Sequence, residues 1–220
     1  MSVLFTTILR DSIILCADKL VTNAETGEVQ PGSAKKIELW SPTIAVGGTG
    51  SKTLSDIIIS GVHNHVNEIG IDNLSLEEIA DLFGQCYYAA GEVYTDMPKE
   101  VHGKFVVAGK LSNGNIGAIQ IIVGNDEAET EIIEASEMPV TLIFAPADMT
   151  DEECNQLFQK ALRNTRNKNT HHRDIIEAAH RKAVRYVSEH SMFVGPKSDY
   201  IVLGPNDPQC GNQRASHRPL

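Results

Sequence analysis

The sequence predicts an α+β fold for this chain of 220 residues, because strand patterns and helix patterns arrive in blocks. The first observation is a pair of apolar, β-branched runs at the start of the chain. The second is two stretches of helical apolar periodicity after a glycine-rich segment. The third is a further block of strands, a further pair of helices and two closing strands. Such blocks predict sheets that carry helices on their faces.

The chain opens on a predicted hairpin. Val3–Leu9 and Ser12–Ala17 are rich in apolar and β-branched residues, and the polar pair Arg10–Asp11 separates them. The second run ends in Asp18. A buried strand tolerates a carboxylate only when that carboxylate has a partner, so we expect Asp18 to be paired.

Two more strands are predicted before the first helix. One opens with Lys35-Lys36-Ile37, and the other is Thr43–Val46. The glycine-rich stretch Gly47–Gly50 then predicts a turn. Next to this turn, Ser51 opens a helix whose first backbone N–H groups are free, which suits the stabilisation of negative charge.

The remaining elements follow from periodicity, capping boxes and turn signals. The predicted helices are Ser51–Ile69, Ser75 to about Thr95, Thr150 to about Arg163, and His172–His190. The predicted strands are Phe105–Gly109, Ile116–Val123, Glu131–Ala135, Val140–Ala145, Met192–Val194 and Asp199–Leu203. Residues 1–204 form one predicted domain, and residues 205–220 form a polar tail.

Composition excludes several functional classes. The formal net charge is −10, and no Lys/Arg-rich face is visible, which argues against nucleic acid or an anionic membrane as partner. The chain has no apolar run of membrane-spanning length and its start lacks a secretory pattern, so the cytoplasm is the expected location. We expect no cofactor and no metal: His63 and His65 would point to different faces of one helix. The scattered cysteines predict reduced thiols, namely Cys16, Cys86, Cys154 and Cys210.

Ser2 is the residue that suggests chemistry. A small residue behind Met1 is the general condition for removal of that methionine. Removal would leave a serine whose α-amine, with a pKa of about 8, lies beside its own hydroxyl and can act as a general base. Serine at this position is also common in ordinary proteins, so the case depends on the residues that follow.

Those residues occur in a particular order: a strand-ending aspartate, a lysine-bearing strand and a glycine stretch before a long helix. In this order the sequence resembles the proteasome β-subunit superfamily, including the HslV-type peptidases. Ser2 to Asp18 spans 18 − 2 = 16 positions, which is the family's spacing from nucleophile to aspartate. Lys36 matches the family's catalytic lysine if the loop before it is two residues longer. Gly47 matches the glycine whose N–H binds the oxyanion.

The resemblance implies a four-layer αββα sandwich of two antiparallel sheets, the N-terminal-nucleophile hydrolase fold, over residues 2–204. It implies a threonine/serine-type endopeptidase that cleaves peptides or unfolded proteins inside a homo-oligomeric double ring, with an ATP-dependent unfoldase as partner. Ser2 would be the nucleophile, Asp18 and Lys36 would stabilise its alkoxide, and Gly47 would donate to the oxyanion.

Two alternatives stay open. Thr6 and Thr7 also match the Thr-Thr-Ile start of HslV-type enzymes, although Thr6 lies only 18 − 6 = 12 positions before Asp18. The second alternative is a catalytically inactive ring subunit with an assembly or binding role. It follows from two departures: the family's serine after the eighth strand is missing from the segment that ends at Asp148, and Ser191 stands where the family has an aspartate.

Overall fold

The computed structural model describes residues 2–22, 28–30, 34–93, 103–165 and 171–204. The strands in that part are β1 (Leu4–Ile8), β2 (Ile13–Asp18), β3 (Ile37–Ser41), β4 (Ile44–Gly50), β5 (Gly103–Lys110), β6 (Ile116–Gly124), β7 (Glu127–Glu134), β8 (Val140–Phe144) and β9 (Ser198–Leu203). The helices are α1 (Lys52–Ile69), α2 (Leu76–Val93), α3 (Asp151–Arg163) and α4 (His172–Ser188), with a short 3₁₀ turn at Ile71–Asn73. The predicted tail, residues 205–220, lies outside the described residues.

The strands form two antiparallel sheets. One has the order β8-β1-β2-β9, and the other has the order β3-β4-β5-β6-β7. The predicted N-terminal hairpin is confirmed: Leu4 pairs with Ala17, and the Leu9 N–H donates to the Ser12 carbonyl at 2.8 Å to close the turn. Because β1 has β2 on one side and β8 on the other, the start of the chain lies in the middle of its sheet.

Three apolar clusters hold the sheets and helices together. One lies between the five-stranded sheet and α1 and α2, and a second lies between the four-stranded sheet and α3 and α4. The third fills the space between the two sheets. Because β1 and β2 are buried on both faces, their sequences are mostly apolar and do not alternate between apolar and polar residues. Members of the three clusters are, in that order, Phe83 and Phe105, Phe5 and Phe158, and Leu4 and Val106.

The predicted capping boxes are present at two helix starts. Thr150 Oγ1 accepts the Glu153 N–H at 3.2 Å, and the Glu153 carboxylate accepts the Thr150 N–H at 2.7 Å. Ser75 and Glu78 make the same reciprocal pair at 3.2 and 2.7 Å. Each box satisfies backbone donors that the first turn of a helix leaves without partners, which is why α2 and α3 begin where the sequence predicts.

The predicted four-layer αββα sandwich of the N-terminal-nucleophile hydrolase type is corrected by the structure. The described chain has an α+β fold with two antiparallel sheets, of four and five strands, and four α-helices. The predicted strand Met192–Val194 does not form: the Met192 N–H donates to Asp148 Oδ2 and the Phe193 N–H to Ser191 Oγ, each at 3.1 Å. Side chains there replace a neighbouring strand. The order of blocks in a sequence indicates that helices pack on sheets, but it does not determine strand pairing.

The glycine stretch Gly47–Gly50, predicted as a turn, is the second half of β4. Gly47 pairs with Ile37 on one side and with Val106 on the other. A Cβ atom at Gly47 would lie 3.0 Å from a Leu4 methyl group and 3.2 Å from the side chains of its two strand partners. A glycine is therefore required where the two sheets approach each other, and the prediction of a turn was wrong for that reason.

None of the described helices combines the length and hydropathy that a membrane-spanning segment needs.

Candidate active site

The carboxylate of Asp18, at the end of β2, is buried and receives three backbone N–H groups. The Val3 N–H donates to Oδ1 at 3.1 Å, while the N–H groups of Leu20 and Gly195 donate to Oδ2 at 3.0 and 3.3 Å. The Asp18 side chain is 0% exposed. Donors from three separate segments therefore hold this carboxylate in one orientation and stabilise its negative charge.

Lys36 reaches the same carboxylate from the residue before β3, in the other sheet. Its Nζ lies 2.9 Å from each Asp18 oxygen and 2.7 Å from the Leu20 carbonyl oxygen. The Lys36 side chain is 8% exposed. Burial lowers the pKa of Lys36, and the charge of Asp18 opposes that shift. The result is a buried ion pair that joins the two sheets.

Ser2 lies directly before β1 and is buried, with 5% of its surface exposed. The next residue, Val3, donates its N–H to Asp18 Oδ1, which is one of the two oxygens that Lys36 contacts. The structure therefore brings Ser2, Asp18 and Lys36 to one end of the four-stranded sheet. A hydroxyl near a buried ammonium group can be stabilised as an alkoxide, which is the form that attacks carbonyl carbons.

Gly47 lies next to the backbone of Lys36 but inside a strand. It pairs with Ile37, and the following residue, Gly48, donates its N–H to the Lys36 carbonyl at 2.9 Å. Successive N–H groups of a strand point to opposite sides, so the Gly47 N–H points towards β5. The structure thus places Gly47 in the sheet beside the ion pair, and not at the free helix end that the sequence pattern suggested.

Thr6, the alternative nucleophile, lies in the middle of β1. It pairs with Leu15 on β2 and with Leu142 on β8, and it is 1% exposed. A chain that began at Thr6 would lose Val3 and Leu4, both of which belong to the apolar clusters. The geometry therefore favours Ser2 over Thr6 as the first residue of a processed chain.

The sequence predicted none of the backbone partners in the site. These are the Leu20 carbonyl on Lys36 and the N–H groups of Val3, Leu20 and Gly195 on Asp18. A Cβ atom at Gly195 would lie 2.9 Å from the Leu20 Cβ, so a glycine is needed where this segment passes the site. The only signal in the sequence was the Gly-Pro pair that begins at Gly195. This pair indicates a turn, but it does not indicate which residues the turn contacts.

Within the part of the chain that the structure describes, the histidines and cysteines considered in the sequence do not gather into a metal site. Among the described residues, no three His, Cys, Asp or Glu side chains come together as metal ligands. Cys16, Cys86 and Cys154 are free thiols, and burial raises the pKa of Cys16 to about 12. His63 contacts Asn67 at 3.2 Å and the Trp40 ring at 5.4 Å, within α1 and its surroundings.

Comparison with known proteins identifies solved structures that share this fold. No protein-family model matches the chain, and no curated protein matches its sequence. Solved structures do match, and they cover 92% of this chain.

The particular structures are those of Anbu, an ancestral beta-subunit. The helical assembly of the Anbu complex from Pseudomonas aeruginosa matches with a TM-score of 0.67, 14% sequence identity and 81% of that chain covered. Anbu from Yersinia bercovieri matches with a TM-score of 0.66, 12% identity and 81% covered. Anbu from Hyphomicrobium sp. strain MC1 matches with a TM-score of 0.63, 12% identity and 82% covered. Similarity at this level of identity shows a shared fold.

The resemblance to the proteasome β-subunit and HslV-type peptidases, inferred from the sequence, is corrected by these matches. The structures that superpose on this chain are those of Anbu proteins, and the HslV-type assignment is not confirmed. The motifs behind that assignment are short. Such motifs depend on residues that are close along the chain, whereas a structural match depends on how all strands and helices are arranged.

Proposed function

We propose that this chain is an N-terminal-nucleophile peptidase in which Ser2 is the nucleophile. The observation that carries the proposal is the buried Asp18–Lys36 ion pair, one residue away from Ser2 through the Val3 N–H. A buried lysine with one carboxylate partner and one carbonyl partner is costly to maintain as a purely structural feature. Its Asp18 partner accepts the N–H of the residue that follows Ser2, and this connection supports a chemical role for the pair.

The proposed reaction begins when the peptide bond before Ser2 is cleaved, which frees the α-amine. The Ser2 hydroxyl passes its proton to that amine and attacks the substrate carbonyl carbon, while the charge of Lys36 stabilises the alkoxide. The tetrahedral intermediate collapses when the amine returns the proton to the departing peptide nitrogen. The resulting ester is hydrolysed by water, with the same amine as general base, and Ser2 is regenerated.

The role of the Gly47 N–H as an oxyanion donor, predicted from the resemblance, remains a separate hypothesis. One such donor is typically worth about 3–4 kcal/mol of transition-state stabilisation. Because the Gly47 N–H points along the sheet towards β5, it would have to turn towards the substrate to act in this way. We propose that Lys36 supplies the larger part of the charge stabilisation.

The experiment that tests the proposal is labelling with a peptide epoxyketone, which needs a hydroxyl and an adjacent free amine. We expect a mass increase on the Ser2 peptide of the processed protein and none in Ser2→Ala. Lys36→Ala should lose the adduct. Lys35→Ala is the matched control, because Lys35 is 53% exposed and pairs with Glu38 at the surface. An assembled protein with a free Ser2 amine that forms no adduct at high reagent concentration contradicts the proposal.

We also propose that the working form is a helical oligomer of this chain, in place of the closed double ring expected from the sequence. The support is the structure described for Anbu from Pseudomonas aeruginosa, which is a helical assembly. Peptides or unfolded proteins are the proposed substrates, and an unfoldase partner remains a prediction. Electron microscopy of the purified protein tests this point: closed rings or a stable monomer would contradict a helical form.

An inactive assembly subunit is the second candidate function. The observation that favours it is the burial of Ser2, which leaves its hydroxyl with little access from solvent. This candidate predicts that Ser2→Ala assembles normally and that neither the parent nor the variants bind the epoxyketone. A smaller hydroxyl-reactive probe run in parallel separates a blocked pocket from a chemically inert serine.

A further inference from the structure

The outer strand of the five-stranded sheet has a face that the four-stranded sheet does not cover. β7 pairs with β6 alone and without a bulge, so its side chains alternate between the two faces of the sheet. Ile133 packs against the apolar cluster between the sheets. Glu127, Glu129 and Glu131 lie on the same face as Ile133, and all three are exposed. We call these three glutamates the β7 carboxylate row.

The β7 carboxylate row is not neutralised within the described part of the chain. No lysine or arginine there forms an ion pair with any of its members. On the neighbouring strand, Glu129 lies opposite Ile122 and Glu131 lies opposite Gln120, so β6 supplies no counter-charge. The row is therefore a set of like charges along one strand, and an approaching cationic surface would stabilise it.

A cationic surface lies on the other side of the sandwich, where the end of α3 meets the middle of α4. Lys160 Nζ lies 4.9 Å from the centre of the Tyr186 ring, and Lys182 Nζ donates to the Asn164 carbonyl at 3.3 Å. The Asn164 side-chain amide donates to the Tyr186 hydroxyl at 3.2 Å, which places both lysines in one cluster. With the exposed arginines that precede Asn164 and Tyr186, the α3–α4 cation cluster consists of Lys160, Arg163, Lys182 and Arg185.

The α3–α4 cation cluster also has no counter-charge of its own. No carboxylate of the described residues forms an ion pair with it, and the groups that position Lys160 and Lys182 are neutral. Lys160 and Arg163 complement the C-terminal end of α3, but Lys182 lies in the middle of α4, where no helix end explains its charge.

One molecule cannot bring the two surfaces together. α3 and α4 pack on the four-stranded sheet, whereas β7 is the edge of the five-stranded sheet. The surfaces do match in sign and in size. β7 has 8 residues and is about 27 Å long, and α3 has 13 residues and is about 20 Å long.

We infer that the β7 carboxylate row of one copy of this chain binds the α3–α4 cation cluster of a second copy. This inference rests on the proposed oligomer and identifies the surfaces that join its subunits. Because the two surfaces differ, each copy can bind one neighbour through the row and another through the cluster. Such head-to-tail contacts produce an open helix or, if the rotation closes, a ring. Complementary charges also select the partner, since like charges placed against each other are costly.

The test reverses the charge of each surface in the full chain. Glu129→Lys/Glu131→Lys reverses the row, and Arg163→Glu/Arg185→Glu reverses the cluster. Each variant alone then has two surfaces of the same sign. We expect the concentration of half-assembly, measured by sedimentation velocity, to rise at least about tenfold in each. An equimolar mixture of the two variants matches every reversed surface with its opposite, so assembly should return close to the parent level.

Glu68→Lys/Asp72→Lys is the matched control, because it makes the same change in net charge as the reversed row at exposed positions away from β7. It should assemble like the parent. A measurement without any variant is the response to salt: raising NaCl from about 0.05 M to about 0.5 M should weaken the parent assembly, since salt screens exposed charges. Circular dichroism checks that each variant folds like the parent.

Three results would overturn the inference: a mixture of folded variants that stays unassembled, a control that weakens assembly as much as the reversed row, or a parent assembly that does not respond to salt. A parent that assembles equally well with either surface reversed contradicts this interface and leaves the proposed oligomer standing. A monomeric parent contradicts both. Restored assembly in the mixture supports the interface whether or not Ser2 forms an epoxyketone adduct.

Discussion

Lys36 Nζ lies 2.9 Å from both carboxylate oxygens of Asp18, and this ion pair joins the two sheets of the molecule. Both side chains are almost fully buried. The pair is therefore a structural link and, under the proposed function, the electrostatic centre of the site. The structural role is measured by unfolding and the chemical role by labelling of Ser2.

Replacement of Lys36 by Ala should destabilise the fold as well as abolish labelling. It leaves the Asp18 carboxylate buried without a cation, and removal of one partner of a buried pair costs about 3–5 kcal/mol. Urea unfolding followed by circular dichroism measures this loss. Lys35→Ala, at an exposed pair, should change the free energy of unfolding by about 1 kcal/mol or less. Equal losses in the two variants would show that the buried pair is not a special link.

Replacement of Asp18 by Asn should weaken the fold and slow the adduct on Ser2. The amide cannot accept hydrogen bonds at both terminal atoms, so the N–H groups of Leu20 and Gly195 would face an NH₂ group or lose a partner. We expect a loss of about 3 kcal/mol and labelling at least about tenfold slower. Asp199→Asn is the control, since its pair with Lys19 is 35% exposed on each side. An Asp18 variant that behaves like the Asp199 variant would contradict this prediction.

Replacement of Gly47 by Ala should destabilise the protein through overcrowding. The new Cβ would meet Leu4, Ile37 and Val106 at 3.0–3.2 Å, which predicts a cost of about 1–3 kcal/mol. Gly91→Ala in α2 is the matched control, because nothing lies within 4 Å of its added Cβ. That change should be neutral or stabilise by up to about 1 kcal/mol, since alanine favours helix. Thermal unfolding of the two variants decides the comparison.

Stability should fall in acid because of His180, which is fully buried in α4. Its ring lies 5.7 Å from Phe5 and 5.1 Å from Phe158, and Nε2 contacts Thr7 Oγ1 at 2.8 Å. Nδ1 has no partner among the described residues. Burial lowers the pKa of His180 to about 3, well below the ordinary value of about 6.5.

The sign of the effect follows from where the proton binds. Between about pH 6.5 and pH 3 the unfolded chain protonates this histidine and the folded chain does not, so the free energy of unfolding falls as the pH falls. The full loss is at most about 5 kcal/mol. His180→Phe should flatten this part of the stability profile, because Thr7 keeps its bond to Thr141 at 2.8 Å. His65→Gln, at an exposed position of α1, should leave the profile unchanged, and an identical slope in both variants would refute the assignment.

Local structure was largely predictable from the sequence. The four helices begin within one residue of their predicted starts, because caps such as Thr150 and Ser75 satisfy the first backbone donors through residues three positions away. The N-terminal hairpin was predictable for a similar reason, since its apolar runs and its turn are contiguous in the chain. These features depend on neighbours along the sequence, and a single sequence contains that information.

The sequence by itself determined that the chain forms blocks of strands and helices. It also indicated that Asp18 needs a partner and identified Ser2 and Lys36 as candidate site residues. The tertiary structure alone decided that Gly47 lies inside β4, that Gly195 and Leu20 complete the surroundings of the ion pair, and that Asp148 and Ser191 contact each other across 43 positions. The match to solved structures of Anbu proteins also depends on the tertiary structure. The physical reason is common to all of these: strand pairing and loop contacts join residues that are far apart in the chain. Their energies depend on the whole arrangement of sheets and helices, and no local pattern records them.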